Sequence, residues 1–168
     1  MASNMYLKIE SPNIVGESTD SEHAGQLEIL SYSHGEMHHT SSAVSTAGAR
    51  TTGKVSVQDF TVQKYLDKSS PVLNLACCEG SHFKTVTIQL YRATQDASKP
   101  VKYMEYILTD AIIASYSVSG SGGDVPIESL AFNFSSIKWS YIPQKKEAPG
   151  GADAAIASGW SMKENKKL

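Results

Sequence analysis

Residues 83–93 read Phe-Lys-Thr-Val-Thr-Ile-Gln-Leu-Tyr-Arg-Ala, and their alternation decides the fold class. Successive side chains of an extended chain point to opposite faces, so Val86, Ile88 and Leu90 share one side while Thr85, Thr87 and Gln89 share the other. The stretch predicts a strand with one face on a core. The same period runs upstream, where Met5, Leu7 and Ile9 alternate with Tyr6, Lys8 and Glu10. Downstream of Tyr103 two further strands are expected. Met104, Tyr106 and Leu108 share a parity that breaks at Asp110 and resumes with Ile112, Ala114, Tyr116 and Val118.

In two places the apolar parity flips within a strand pattern. Val55 and Val57 give way to Phe60 and Val62, and Leu130, Phe132 and Phe134 give way to Ile137, Trp139 and Tyr141. A slip of one residue exchanges the two faces, which predicts bulges near Gln58-Asp59 and near Ser135-Ser136. Long bulged strands suit a small closed β-barrel or two tightly curled antiparallel sheets. One helix interrupts them: Ser70 suits its N-cap, Pro71 its first turn and Gly80 the left-handed position after its last turn. Val72, Leu73, Leu75, Ala76 and Cys77 would supply its covering face. The fold class is therefore all-β with one short helix. The segment 34–52, rich in Gly, Ser, Thr and Ala, is expected to be an irregular extended loop on a barrel domain spanning 1–143. Residues 119–124 should turn between strands, and 144–168 should form a polar tail with Trp160 as its one aromatic anchor.

A chain of 168 residues is one domain with a core of ordinary size. Its 15 basic and 17 acidic residues are scattered and leave a net charge of -2, which gives no electrostatic basis for nucleic-acid binding or membrane docking. The N-terminus has neither a basic n-region nor an apolar h-region, and no stretch approaches the ~20 apolar residues of a membrane span, so synthesis and folding in the cytoplasm are expected. Cys77 and Cys78 are adjacent, a spacing that rarely reaches relaxed disulfide geometry within a helix, and both are expected as buried, reduced packing thiols.

Candidate chemistry is sparse. His34, Glu36 and His38, with His39, have metal-ligand character if extended, but a Ser-rich segment offers nothing to orient the imidazoles, and no metal, cofactor or catalytic site is expected there. Gly120-Ser121-Gly122-Gly123 lacks the Lys-Ser/Thr and following helix of a phosphate loop. Asn133-Phe134-Ser135 has the form of a glycosylation sequon inside a strand pattern. No Gly-x-Ser-x-Gly elbow gathers Ser, His and Asp.

Several ordered motifs carry a resemblance instead. They are Gly16-Glu17-Ser18 with His23, Leu30-Ser31-Tyr32-Ser33-His34-Gly35, Gly53-Lys54-Val55 with Gln58-Asp59-Phe60, and Lys64-Tyr65 with Asp67-Lys68-Ser69-Ser70-Pro71. Further along come Ala76-Cys77-Cys78 with Gly80 and His82, Leu130-Ala131-Phe132-Asn133-Phe134, and Gly159-Trp160 with Asn165. Together, over nearly the whole chain, they resemble the Hcp family of type VI secretion tube proteins. His34 stands where many members carry an aromatic residue. The resemblance implies a β-barrel assembled as a hexameric ring, with rings stacking into a tube inside a contractile sheath, above a baseplate and behind a spike-tip protein. It further implies secretion through the apparatus and small effector proteins carried in the lumen, with no enzymatic activity. It places Ser33 near the inner wall, as a cargo contact. The projecting segment with Glu36, Met37, His38, His39, Thr40, Ser41 and Ser42 is expected to make the ring-stacking contact.

Two readings compete with it. A monomeric β-barrel module binding carbohydrate or peptide would need a stripe of exposed aromatics, which the eight tyrosines do not clearly form. A metal enzyme built on His34, Glu36 and His38 is the third. The residues after Pro143 are too few for a stable enzymatic extension.

Overall fold

Each alternating stretch is a strand in a computed structural model that describes residues 5–40, 52–93, 100–144 and 153–168. In chain order these are β1 (Met5–Glu10), β2 (Leu27–Glu28), β3 (Ser31–Ser33), β4 (Glu36–Thr40), β5 (Thr52–Val57) and β6 (Phe60–Tyr65). After the helix α1 (Ser70–Glu79) come β7 (His82–Arg92), β8 (Val101–Ser119), β9 (Ile127–Tyr141), β10 (Ile156–Ser161) and β11 (Lys166–Lys167). The pairing β1-β7-β8-β9-β6-β3 is antiparallel throughout. It closes on itself through residues 27–33. Leu27 pairs with Leu7, the Ile29 N–H donates to Met5 O at 3.1 Å, the Leu30 N–H donates to Gln63 O at 2.7 Å, and Ser31–Ser33 pairs with β6. Closure at residues 27–30 satisfies part of the backbone edge that an open sheet would expose. Leu7, Ile9, Phe60, Val62, Phe83, Ile88, Leu108 and Phe132 fill the interior and are fully buried. Each such side chain contributes about 1.5–3 kcal/mol by leaving water.

The pattern after Tyr103 is one 19-residue strand rather than two. Its inward residues are Leu108, then Ala111 and Ile113, so Ile112 and Ala114 do not face the core as expected. Two neighbours change faces at the same level, β7 between Phe83 and Val86 and β9 between Phe134 and Ile137. Asp110 lies on this line with a left-handed backbone, φ 51°, and accepts a 2.8 Å hydrogen bond from Ser135 Oγ on β9. Asp tolerates that conformation better than most residues. The bulge expected at Ser135-Ser136 is therefore a face change in continuous register. The register slip lies in β8, between Ile113 and Ser115. At Gln58-Asp59 the strand stops altogether, because β5 and β6 pair in different sheets.

Helix α1 starts at Ser70 with Ser69 as its N-cap residue, one position earlier than expected, and ends at Gly80 with φ 65°. Leu73 and Ala76 are buried and Cys77 is half-buried, whereas Val72 and Leu75 face outward. The expected irregular loop is partly regular: β4 and β5 form an antiparallel ribbon separate from the barrel sheet. The expected tail is sheet over its described part, with β10 pairing along β9 and β11 along β10. Gly159 permits that closeness, since a Cβ there would meet Ile137 O at 3.0 Å.

Candidate functional site

Ser33, the residue expected at an inner wall, belongs to a surface that the strand register defines. Directly paired residues share a face. One outward row therefore runs Ser33, Thr61, Ala131, Ser115, a second runs Ser31, Gln63, Ser129, Ser117, and a third runs Tyr65, Ile127, Ser119. No charged side chain falls in these rows. The outward rows on the other half of the barrel carry Lys8, Glu10, Glu105 and Lys138 instead. Ser31 Oγ donates to Gln63 Oε1 at 3.0 Å, a hydrogen bond along the second row. The wall of β3, β6, β9 and the C-terminal part of β8 has two open edges. β3 pairs only with β6, and β8 beyond Ile112 pairs only with β9, among the described residues.

A buried charge network fixes one end of this wall from behind. Lys64 is 1% exposed and Glu128 is 0% exposed, and Lys64 Nζ lies 2.6 Å from Glu128 Oε1 and 2.9 Å from Asp67 Oδ1. Ser70 Oγ donates to Glu128 Oε1 at 3.0 Å and Tyr116 OH donates to Glu128 Oε2 at 2.7 Å, so the carboxylate joins β6, α1, β8 and β9. Burial pushes the Tyr116 phenol up to about 12, helped by its hydrogen bond to the Glu128 carboxylate. The Lys68 N–H donates to Glu17 Oε1 at 3.0 Å and ties in the loop that begins at Gly16. A Cβ on Gly16 would meet Gln26 O at 2.4 Å, so only glycine fits there. His23 anchors the same loop, stacked on Tyr6 at 4.1 Å, edge-on to Tyr91 at 4.5 Å, with Nδ1 2.7 Å from Asp20 Oδ1.

The ribbon carries five of the expected stacking residues, Glu36, Met37, His38, His39 and Thr40. Ser41 and Ser42 lie outside the described residues. Met37 is 51% exposed on the ribbon's outer face. Glu36 pairs with Val57 and His38 with Val55, and these four share the face turned to the barrel. Between them and the wall formed by Ile137, Trp139 and Trp160 lies an open cleft of about 400 Å³. The indole Nε1 of Trp160 is buried there without a hydrogen-bond partner among the described residues.

His34 serves as an aromatic residue, stacked on Phe60 at 5.1 Å and edge-on to Tyr106 at 5.3 Å. Its Nδ1 is 3.3 Å from Glu36 Oε1 while His38 turns into the cleft, and the described residues contain no cluster that could hold a metal ion. Cys78 is exposed, which corrects the expectation of two buried thiols: the helical turn that brings Leu73, Ala76 and Cys77 to the barrel carries the next residue outward. The buried Lys64–Glu128 pair was not anticipated. Its sequence signal is a charged residue on the inward parity of each strand, Lys64 after Phe60 and Val62 on β6 and Glu128 before Leu130 and Phe132 on β9. No helix among the described residues is long and apolar enough to cross a membrane.

A family model described as "Type VI secretion system effector, Hcp" matches residues 6–141. Protein hcp1 of Pseudomonas aeruginosa is 34% identical over 167 residues, covering 98% of each chain. Among solved structures, one described as a type six secretion system protein superposes with TM-score 0.88 at 30% identity, covering 99% of this chain and 100% of its own. Hcp1 from Salmonella typhimurium superposes with TM-score 0.78 at 30% identity, covering 100% of both.

Proposed function

This chain belongs to the Hcp family of type VI secretion proteins and is a subunit of the type VI secretion tube; from that premise we propose that six copies close a ring whose lumen is the uncharged wall and whose cargo is a small effector protein. The observation that carries this reading is the wall itself: three rows free of charge, bounded by two strand edges that are open among the described residues. Abutting the β8 edge of one subunit against the β3 edge of the next is a heterologous contact, and such contacts close into a ring when the rotation permits. The lumen would then be lined by repeated copies of Ser33 and its neighbours.

Stacking of rings is assigned to the ribbon of β4 and β5, which stands apart from the barrel sheet. In this reading the subunit folds in the cytoplasm, stacks within the contractile sheath above the baseplate and behind the spike tip, and is secreted by contraction. Its role is structural and its grip on cargo non-catalytic.

The test pairs parent and Ser33→Gln protein with a cognate effector and measures effector retention alongside particle mass. An intact ring with reduced retention supports the lumen assignment. Unchanged retention removes Ser33 from the cargo surface, and loss of the ring makes it a subunit-contact residue.

A further inference from the structure

We propose that His34 is a proton-operated latch at the root of the β4–β5 ribbon. Protonated, it pairs with Glu36 and holds the ribbon to the barrel; neutral, it lets that hold go. The inference goes beyond the stacking role and does not depend on it, since it concerns the ribbon's seat on its own barrel.

His34 joins β3 of the barrel to β4 of the ribbon, and among the described residues β4 and β5 pair only with each other. No shared ladder therefore sets the angle between ribbon and barrel there, and side chains at the root bear on it. The Gln58 N–H donates to Gly35 O at 2.8 Å and ties the two ribbon strands together at their base. Just before that tie, the His34 ring reaches back to the barrel and packs on Phe60 of β6 and Tyr106 of β8, with 14% of its side chain exposed.

The ring packs as a phenyl or indole would, but an imidazole also changes charge, as a class between about pH 5 and 8. His34 Nδ1 lies 3.3 Å from Glu36 Oε1, and that carboxylate, 37% exposed, belongs to the first residue of the ribbon. The separation exceeds the about 2.7–2.9 Å of a charge-assisted N–H···O bond, so protonation leaves room for the pair to tighten. The Phe60 ring also favours a cation over its face. Burial does not decide between a held and a released ribbon, because the His34 ring stays on the barrel in both. The Glu36 carboxylate moves with the ribbon and does decide. The position that keeps it beside His34 binds the proton more tightly, so falling pH shifts the population toward that position and rising pH away from it.

Around the His34 ring stand Phe60 from β6, Tyr106 from β8 and, stacked on Phe60, Tyr32 from β3. Burial, then the hydrogen bond with Tyr32, pushes the Tyr106 phenol far above its usual range, with Tyr103 and Glu36 adding to the effect, so Tyr106 stays neutral where imidazoles titrate. Glu36 is the acid that faces the ring. His38 and His39 also lie on the ribbon, both exposed, and His38 lines the cleft beside Glu36.

The experiment measures hydrogen-exchange protection factors, which divide out the intrinsic pH dependence of exchange, at about pH 5.5 and about pH 7.5, either side of the midrange for imidazoles. Particle mass is followed at both values by light scattering. In the parent, amides of residues 36–40 and 52–57 should be about two- to fivefold better protected at the lower pH, the scale of a partly exposed ion pair, while those of Val86 to Leu90 in β7 should not change. His34→Phe, which keeps the packing, and Glu36→Gln should each lose that difference, and His38→Gln should keep it. Circular dichroism checks the fold of each variant, and Glu36→Gln, at a partly exposed side chain, decides the matter should His34→Phe fold poorly. No difference in the parent overturns the proposal. So does a difference that persists in His34→Phe or Glu36→Gln, or one that appears only with a change in particle mass, since assembly would then set the ribbon's protection.

Discussion

Lys64 Nζ approaches Glu128 Oε1 to 2.6 Å in the barrel interior, and neither side chain reaches solvent. Removing two charges from water costs several kcal/mol per ion, so such a pair persists only where further hydrogen bonds complete it. Here Tyr116, Ser70, Asp67 and the Tyr65 carbonyl supply them. The pair also pins the strand ends that carry Tyr65 and Ile127, one end of the uncharged wall.

Breaking one half of this pair should therefore be expensive. Glu128→Gln or Lys64→Met is expected to cost about 3–5 kcal/mol in denaturant unfolding at fixed protein concentration. Lys64→Met with Glu128→Leu should cost less than the sum of its single variants, because no lone charge remains buried. Near-neutral single variants would show that water reaches the site.

Alkaline pH should destabilise the fold. The Tyr116 and Tyr91 phenols are each pushed up to about 12, mainly by burial, with Glu128 assisting at Tyr116 and Glu22 at Tyr91. The unfolded chain releases these protons near 10.0, so above that pH it binds fewer protons than the folded chain. Stability then falls as pH rises. Unfolding midpoints should drop between pH 10 and about 12, less steeply in Tyr116→Phe. A midpoint that stays level across that window would contradict the burial of these hydroxyls.

The two cysteines should behave differently. Cys78 should react rapidly with a bulky maleimide and Cys77 slowly, since only Cys77 packs against the barrel. Cys78→Ala should change stability by less than about 0.5 kcal/mol and Cys77→Ala by about 1–3 kcal/mol. Equal labelling of both thiols would mean that α1 does not hold its inner face to β8.

How much of this was legible in the sequence depends on which residues carried the signal. Met5, Leu7 and Ile9, and again Val86, Ile88 and Leu90, alternate cleanly and became β1 and β7. Beyond Asp110 the alternation misled, because one left-handed residue shifts the inward set to Ala111 and Ile113 without any break in the strand. Glu36–Thr40 has no apolar stripe, since the ribbon's pairing is carried by backbone and by a single valine face on β5. Strand β10 was missed because Ile156–Ser161 follows a Gly/Ala-rich stretch and is held by its partner β9, a contact remote in sequence. The uncharged wall was invisible for the same reason: Ser33, Thr61, Ala131 and Ser115 become a row only through register.

Gly16→Ala should loosen the loop held by His23. The added methyl meets Gln26 backbone at 2.4–2.9 Å, which only a shift of the chain can relieve. A loss of about 1–3 kcal/mol is expected in thermal or denaturant unfolding, with faster amide exchange at Gly25 and Gln26. Unchanged exchange there would show that the loop adapts freely.

Closure of this barrel into a ring around its uncharged wall is read out by particle mass with negative-stain imaging of the purified protein. Six-membered rings with an open channel are expected. A species that remains monomeric across micromolar concentrations, with no annular particles, would contradict the account.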